Sequence, residues 1–252
     1  MKNILIGNNI TKTFGEGTEK ETILKDVKVN IKKGEFVSVM GPSGSGKSTL
    51  LYALSGMDTV DQGTIHFSDH ELTAVKEADL SDIRRKQMGF VFQQPTFLKN
   101  LTIVDNIVLP AMRDNRKAAK KLTEKAKELL RQTGIEKLSD RMTSQVSGGQ
   151  LQRAGICRAI INDPEIIFGD EPTGALNSKA AQEIMELFLQ INRKGTTILL
   201  VTHDAKVAAQ SERVLFMKDG VFVDELMLDK YEEVLLEERV QAVTERMNLA
   251  ER

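Results

Sequence analysis

Apolar residues in the first forty positions fall in short runs: Ile4-Leu5-Ile6, Val27-Lys28-Val29-Asn30-Ile31 and Phe36-Val37-Ser38-Val39-Met40. Gly15, Gly17 and Gly34 punctuate them. Alternating or β-branched runs between glycine turns predict strands. Past residue 41 the texture changes to helical stretches alternating with short apolar runs, and strands are predicted at 89–92, 165–168, 197–201 and 214–217. That alternation predicts an α/β fold with a mostly parallel sheet covered on both faces, after an N-terminal antiparallel β subdomain. Residues 103–162 are almost wholly helical in pattern and predict an inserted helical subdomain.

Two helical stretches carry a second pattern. From Arg113 to Arg131 the chain bears Arg113, Arg116, Lys117, Lys120, Lys121, Lys125, Lys127 and Arg131. Such a run is a solvated helix face or a patch that contacts lipid or a partner. The acidic tail, 228–252, follows a main domain of 1–227. In it Leu236, Val240, Val243 and Met247 recur at helical spacing, a stripe that packs on the chain's own core or docks on a second subunit.

Composition narrows the classes. At 252 residues, 40% hydrophobic and 28% charged, the chain reads as one globular domain that buries a full core. A formal net charge of -1 supplies no bulk field for nucleic acid, so no nucleic-acid partner is expected. The single cysteine, Cys157, forms no internal disulfide, fits a reducing cytosol and reads as a small buried filler. The apolar stretch near the start is too short for a signal-peptide core, and no run of about 18 apolar residues occurs. A soluble, cytoplasmic protein is expected.

The most specific chemistry lies at Gly41-Pro42-Ser43-Gly44-Ser45-Gly46-Lys47-Ser48, which fits G-x-x-x-x-G-K-[ST]. An apolar strand precedes it and an amphipathic helix carrying Leu50, Leu51 and Leu54 follows, the context this P-loop requires. Glycines let the backbone curl round a phosphate, and the helix start adds positive potential. Lys47 supplies a full charge to the β- and γ-phosphates, and the Ser48 hydroxyl is placed to hold Mg²⁺. With Thr49 next in line, these residues are the candidate nucleotide cradle. Typical residue frequencies give about a 1% chance of one such match in a chain this long.

A P-loop needs an acidic group at the end of a neighbouring strand, and Ile166-Ile167-Phe168-Gly169-Asp170-Glu171 offers two. Carboxylates at the mouth of an apolar strand call for a cation or solvent. Asp170 is the candidate Mg²⁺-side carboxylate, and Glu171 the candidate general base for the attacking water.

Val146-Ser147-Gly148-Gly149-Gln150-Leu151-Gln152-Arg153 resembles the signature sequence of ATP-binding cassette (ABC) proteins, and the resemblance runs over about residues 4–225. It implies a P-loop NTPase core that binds and hydrolyses ATP with Mg²⁺. Phe14 then corresponds to the aromatic that stacks on adenine, and Gln93 to the glutamine that reaches Mg²⁺ and the attacking water, with Gln94 its rival. His203 corresponds to the histidine that senses the γ-phosphate. Gly174-Ala175-Leu176-Asn177 resembles the loop that crosses to a second subunit. Ser147, Gly148, Gly149 and Gln150 stand ahead of or at the start of a helix, where N–H groups form a second anion nest. The resemblance implies that two copies pair head to tail, each ATP lying between one chain's cradle and the other's signature. Asn177 departs from the usual aspartate, and Gly169 stands where a bulkier residue is common.

Lys47 and Ser147 are 100 positions apart, which leaves no room for the long coiled coil of chromosome-maintenance ATPases. A ribosome-acting factor of the family carries two cassettes, and this chain carries one. The text Gly56-Met57-Asp58, Gln93-Gln94-Pro95 and Glu171-Pro172-Thr173-Gly174-Ala175-Leu176-Asn177-Ser178 resembles the branch of lipoprotein-release, macrolide-export and bacitracin-export ATPases. Ala-Leu-Asn-Ser and the helical tail are most similar to the bacitracin-export type. That resemblance implies an integral-membrane permease as partner, with a sensor kinase acting through it, and a place on the inner face of the cell membrane. Lipoprotein-release, cell-division and small-molecule import cassettes are the alternatives, and a non-hydrolysing nucleotide scaffold is the alternative from another class.

Overall fold

The computed structural model of the chain describes residues 2–15, 17–113 and 118–251. Arg116 and Lys117 of the basic stretch therefore lie outside the described residues. In chain order the elements are β1 (Asn3–Phe14), β2 (Glu21–Lys32), β3 (Phe36–Met40), α1 (Lys47–Leu54), β4 (Gln62–Phe67), β5 (His70–Glu71), α2 (Glu77–Gln87) and β6 (Met88–Phe92). Then follow α3 (Ile103–Met112), α4 (Ala119–Gln132), α5 (Gly148–Ile160), β7 (Ile166–Asp170), α6 (Ser178–Arg193), β8 (Thr197–Thr202), α7 (Ala205–Ala208), β9 (Arg213–Lys218), β10 (Val221–Met227) and α8 (Leu236–Glu251). They fall into two compact units, Met1–Leu80 with Asn192–Arg252, and Ser81–Ile191.

In the first unit β1 pairs antiparallel with β2 and with β4, which gives the antiparallel N-terminal sheet read from the sequence. The central strand β3 is buried at every position, Ser38 included, as a run with four apolar residues in five requires. It pairs parallel with β8 and β9, and β10 closes on β9 antiparallel. Leu50, Leu51 and Leu54 of α1 are buried, as their spacing predicted. The tail stripe packs on the chain's own core: Val243 is fully buried, and Leu236, Val240 and Met247 lie against a cluster of Met40, Ala208, Ala209, Val214 and Phe216. Arg239, on the same helix, donates to the carbonyls of Ala209, Ser211 and Asp229, so charge and apolar face fix α8 together.

In the second unit β6 and β7 pair parallel in register, Phe92 opposite Asp170. α3, α4 and α5 gather round Ile107, Ala126, Leu130, Ala154 and Cys157. The expectation of nearly continuous helix across 103–162 is corrected between α4 and α5. Gly134 has φ 72, and the chain runs through short 3-10 turns at Glu136–Leu138 and Thr143–Gln145. A left-handed glycine just past a helix ends it and frees the chain to turn. The basic residues of α4 are divided in use: Lys125 pairs with Asp163, and Arg131 with Glu128 on the same helix.

Candidate active site

The cradle is built in the first unit. β3 ends at Met40, the chain curls through residues 41–46, and α1 starts at Lys47. Two glycines are required here by space and by backbone. A Cβ at Gly41 would stand 2.0 Å from the Met217 carbonyl oxygen, and Gly46, with φ 100, lies against the Ile23 carbonyl. The loop is thus seated directly on β9 and β2. The Gly220 N–H donates to the Ser45 carbonyl (3.1 Å), and the Leu50 N–H to that of Gly46 (2.8 Å). Lys47, only 8% exposed, reaches back across the loop and donates to the Gly41 and Pro42 carbonyls, both at 2.8 Å. Its ammonium is held over the loop by the loop itself. Pro42, Ser43 and Gly44 are exposed, Ser45 is buried, and Ser48 and Thr49 are half-buried on the first turn of α1.

Phe14 closes β1 with 45% of its surface exposed, a ring open to a stacking partner. The Lys12 ammonium lies 5.0 Å from the ring centroid. Lys12 is itself buried, donating to Asp58 (2.9 Å) and to the Thr59 carbonyl (2.6 Å), while the Thr13 N–H donates to Asp61 (2.7 Å). This end of β1 is pinned by residues 58–61. His203 follows β8, exposed, between Thr202 and Asp204, whose carboxylate caps α7.

The second unit holds the carboxylates. Asp170 ends β7 and Glu171 follows at φ 45, a left-handed backbone that costs a branched-free L-residue about 1–3 kcal/mol. The Gly174 N–H donates to the Glu171 carbonyl (3.0 Å), and a Cβ at Gly174 would stand 2.9 Å from Gln93 Nε2. Gln93, Glu171 and Gly174 are therefore neighbours. Asn177 Oδ1 accepts from the Ala180 N–H at 2.9 Å, so it caps α6, a task asparagine performs as well as aspartate.

The signature forms the start of α5. Ser147 caps it: its hydroxyl accepts from the Gln150 N–H, and Gln150 Oε1 accepts from the Ser147 N–H. The Ser147 N–H is thereby engaged in the cap. Gly148 and Gly149 open the helix proper, and a Cβ at Gly148 would meet nothing within 4 Å, so the helix start is approachable. Cys157, further along α5, is buried beside Thr133, and burial pushes its thiol up to about 11, which keeps it protonated and inert.

Among the described residues no three His, Cys, Asp or Glu side chains gather as a metal cage. Ser48 and Asp170 nonetheless offer hard oxygen donors. Mg²⁺ commonly takes one or two such groups, with substrate phosphates and water completing its shell. The donor chemistry fits that ion. Among the described residues no helix is long and apolar enough to cross a membrane.

Sequence reasoning missed two groups. Lys12 and Asp58 lie far apart in the chain, and only an aromatic two residues after a lysine hinted at the ring contact. Gln152 reads as one more polar helix residue, yet it is 1% exposed and donates to two carbonyls beside Gln93 and Glu171.

Comparison with known proteins shows the family and the fold. The family model described as ABC transporter matches residues 24–174. A bacitracin export ATP-binding protein, BceA of Halalkalibacterium halodurans, is 44% identical over 226 residues, 88% of each chain. A macrolide export ATP-binding/permease protein, MacB of Mannheimia succiniciproducens, is 39% identical over 88% of this chain, which spans only 34% of that longer relative. Among solved structures, the ATP-binding cassette MJ0796, in a dimeric post-hydrolysis state bound to ADP and Pi, superposes with a TM-score of 0.84. It is 39% identical, over 90% of this chain and all of that one.

Proposed function

This chain belongs to the ABC transporter family as an ATP-hydrolysing cassette, and from that premise we propose how it works and what it serves. ATP binds with its phosphates in the cradle of residues 41–49, Lys47 turning from the loop carbonyls toward the β- and γ-phosphates. Phe14 stacks on the adenine. Ser48 and Asp170, with Gln93, hold Mg²⁺, which neutralises phosphate charge when bound. Glu171 takes a proton from the attacking water, Gln93 orients that water, and His203 contacts the γ-phosphate as bond cleavage proceeds. The observation that carries this reading is the loop itself: a glycine-built turn with a buried ammonium held over it.

A second copy supplies Ser147, Gly148, Gly149 and Gln150 to the open side of the triphosphate. In this pairing ATP joins the two copies, and hydrolysis releases them. The dimeric, ADP- and Pi-bound cassette with a similar fold supports it. The pair energises a separate membrane permease and sits at the inner membrane face through it. Likeness to the bacitracin export protein supports antimicrobial-peptide resistance as the task, with a sensor kinase as a further partner through the permease. Mixed dimers test the pairing. Lys47→Ala on one chain with Ser147→Arg on the other leaves one composite site intact, and half the wild-type hydrolysis is expected. Complete loss in that mixture, with activity kept when both changes share one chain, overturns the head-to-tail arrangement.

A further inference from the structure

Gln152 sits one and a half turns into α5 and is buried. Its Nε2 donates at 2.9 Å to the Phe92 carbonyl and at 2.7 Å to the Pro172 carbonyl. Phe92 is the residue before Gln93, and Pro172 the residue after Glu171. One amide nitrogen thus ties together the ends of β6 and β7 where both candidate hydrolytic side chains leave the strands. Only the nitrogen of an amide donates, so two carbonyl acceptors fix which way the side chain faces. Its Oε1 is left buried with no hydrogen-bond partner among the described residues. An unmet buried acceptor costs stability.

The same helix face grips the chain after β6 twice more. A Cβ at Gly155 would lie in ordinary contact, 3.6 Å, with Pro95. Arg158 donates to the Thr96 carbonyl at 2.7 Å and lies 4.5 Å from the Phe97 ring centroid. A Cβ at Gly89 would come within 2.6 Å of the Ala159 carbonyl, so α5 sits directly on β6. Gln152, Gly155 and Ala159 stand three and four residues apart, with Arg158 three residues after Gly155, on one face of α5. The helix therefore packs on the segment after β6, while its exposed start bears Ser147 and Gly148.

We propose that Gln152 is a positioning residue whose side-chain amide fixes the strand ends that bear Gln93 and Glu171, so that both side chains are held where hydrolysis needs them. The inference rests on the reading that Glu171 and Gln93 serve hydrolysis. A misplacement of about 1 Å costs on the order of 100-fold in rate.

Two variants test it. Gln152→Leu keeps the volume and removes the donor. It should bind ATP within about twofold of wild type and hydrolyse it roughly 10- to 100-fold more slowly in a single turnover. Gln152→Glu sets a carboxylate against two carbonyl oxygens, and once protonated it donates to one of them. Its deficit relative to wild type should therefore narrow as pH falls while its Tm stays near that of wild type across the same range, whereas a purely structural role moves Tm and rate together. If Gln152→Leu does not fold, the glutamate variant decides. Wild-type single-turnover rates in a folded variant, or a glutamate deficit flat across pH, overturn the proposal. If instead Glu171→Gln hydrolyses ATP like wild type, the assignment of Glu171 fails, a result separable from any behaviour of Gln152.

Discussion

Truncating Lys47 removes the charge on which the phosphate cradle depends. In the folded chain its ammonium makes two 2.8 Å bonds to loop carbonyls at 8% exposure. A hydrogen bond to a charged group is worth about 1.5–3 kcal/mol net. Loss of the contact to phosphate in Lys47→Ala therefore raises the Kd for ATP by about 10- to 150-fold. Lys47→Met separates charge from volume, since it fills the same space without a donor, and it should weaken ATP nearly as much. Isothermal titration of both variants measures the effect, and thermal denaturation confirms that each is folded. Wild-type affinity in a folded Lys47→Met variant refutes the reasoning, because the triphosphate would then lie away from residues 41–48.

Lys12→Met removes the cation beside the Phe14 ring and leaves Asp58 without its ion-pair partner, though the Thr59 N–H still donates to it. At about 0.5–1 kcal/mol for such a contact, ATP affinity falls roughly two- to fivefold. Inorganic triphosphate, which has no base to stack, should compete equally well in both proteins, and equal losses for the two ligands would contradict stacking on Phe14. Val243→Ala removes two methyl groups from a fully buried position where α8 meets Met40 and Phe216. A loss of about 2–3 kcal/mol is expected, read as a Tm lowered by about 4–12 °C; an unchanged Tm would mean that α8 does not hold this core.

The parts of the chain that could be read from its sequence are those where local chemistry and fold coincide. β3, the glycine loop and the Leu50-Leu51-Leu54 face form one contiguous stretch whose every feature is local, and they appear where expected. The α8 stripe was legible as a face, but the surface it covers lies on strands remote in the chain, and no spacing names it. β10 was missed because its Asp224 and Glu225 interrupt the apolar alternation, which an edge strand paired on one side tolerates. β4 and β5 are short, and only their pairing with β1 and with each other defines them. The expectation of almost continuous helix over 103–162 failed between α4 and α5, where Gly134 turns the chain. Gln152 escaped because its partners are backbone carbonyls, which carry no mark in a sequence.

The Glu171→Gln variant, mixed with ATP and Mg²⁺ and examined by light scattering, bears most directly on a water-activating carboxylate in a site shared by two copies. A stable dimer that retains unhydrolysed ATP is the predicted result, with monomer when nucleotide is withheld. Monomer with ATP bound, or release of phosphate at the wild-type rate, would contradict it.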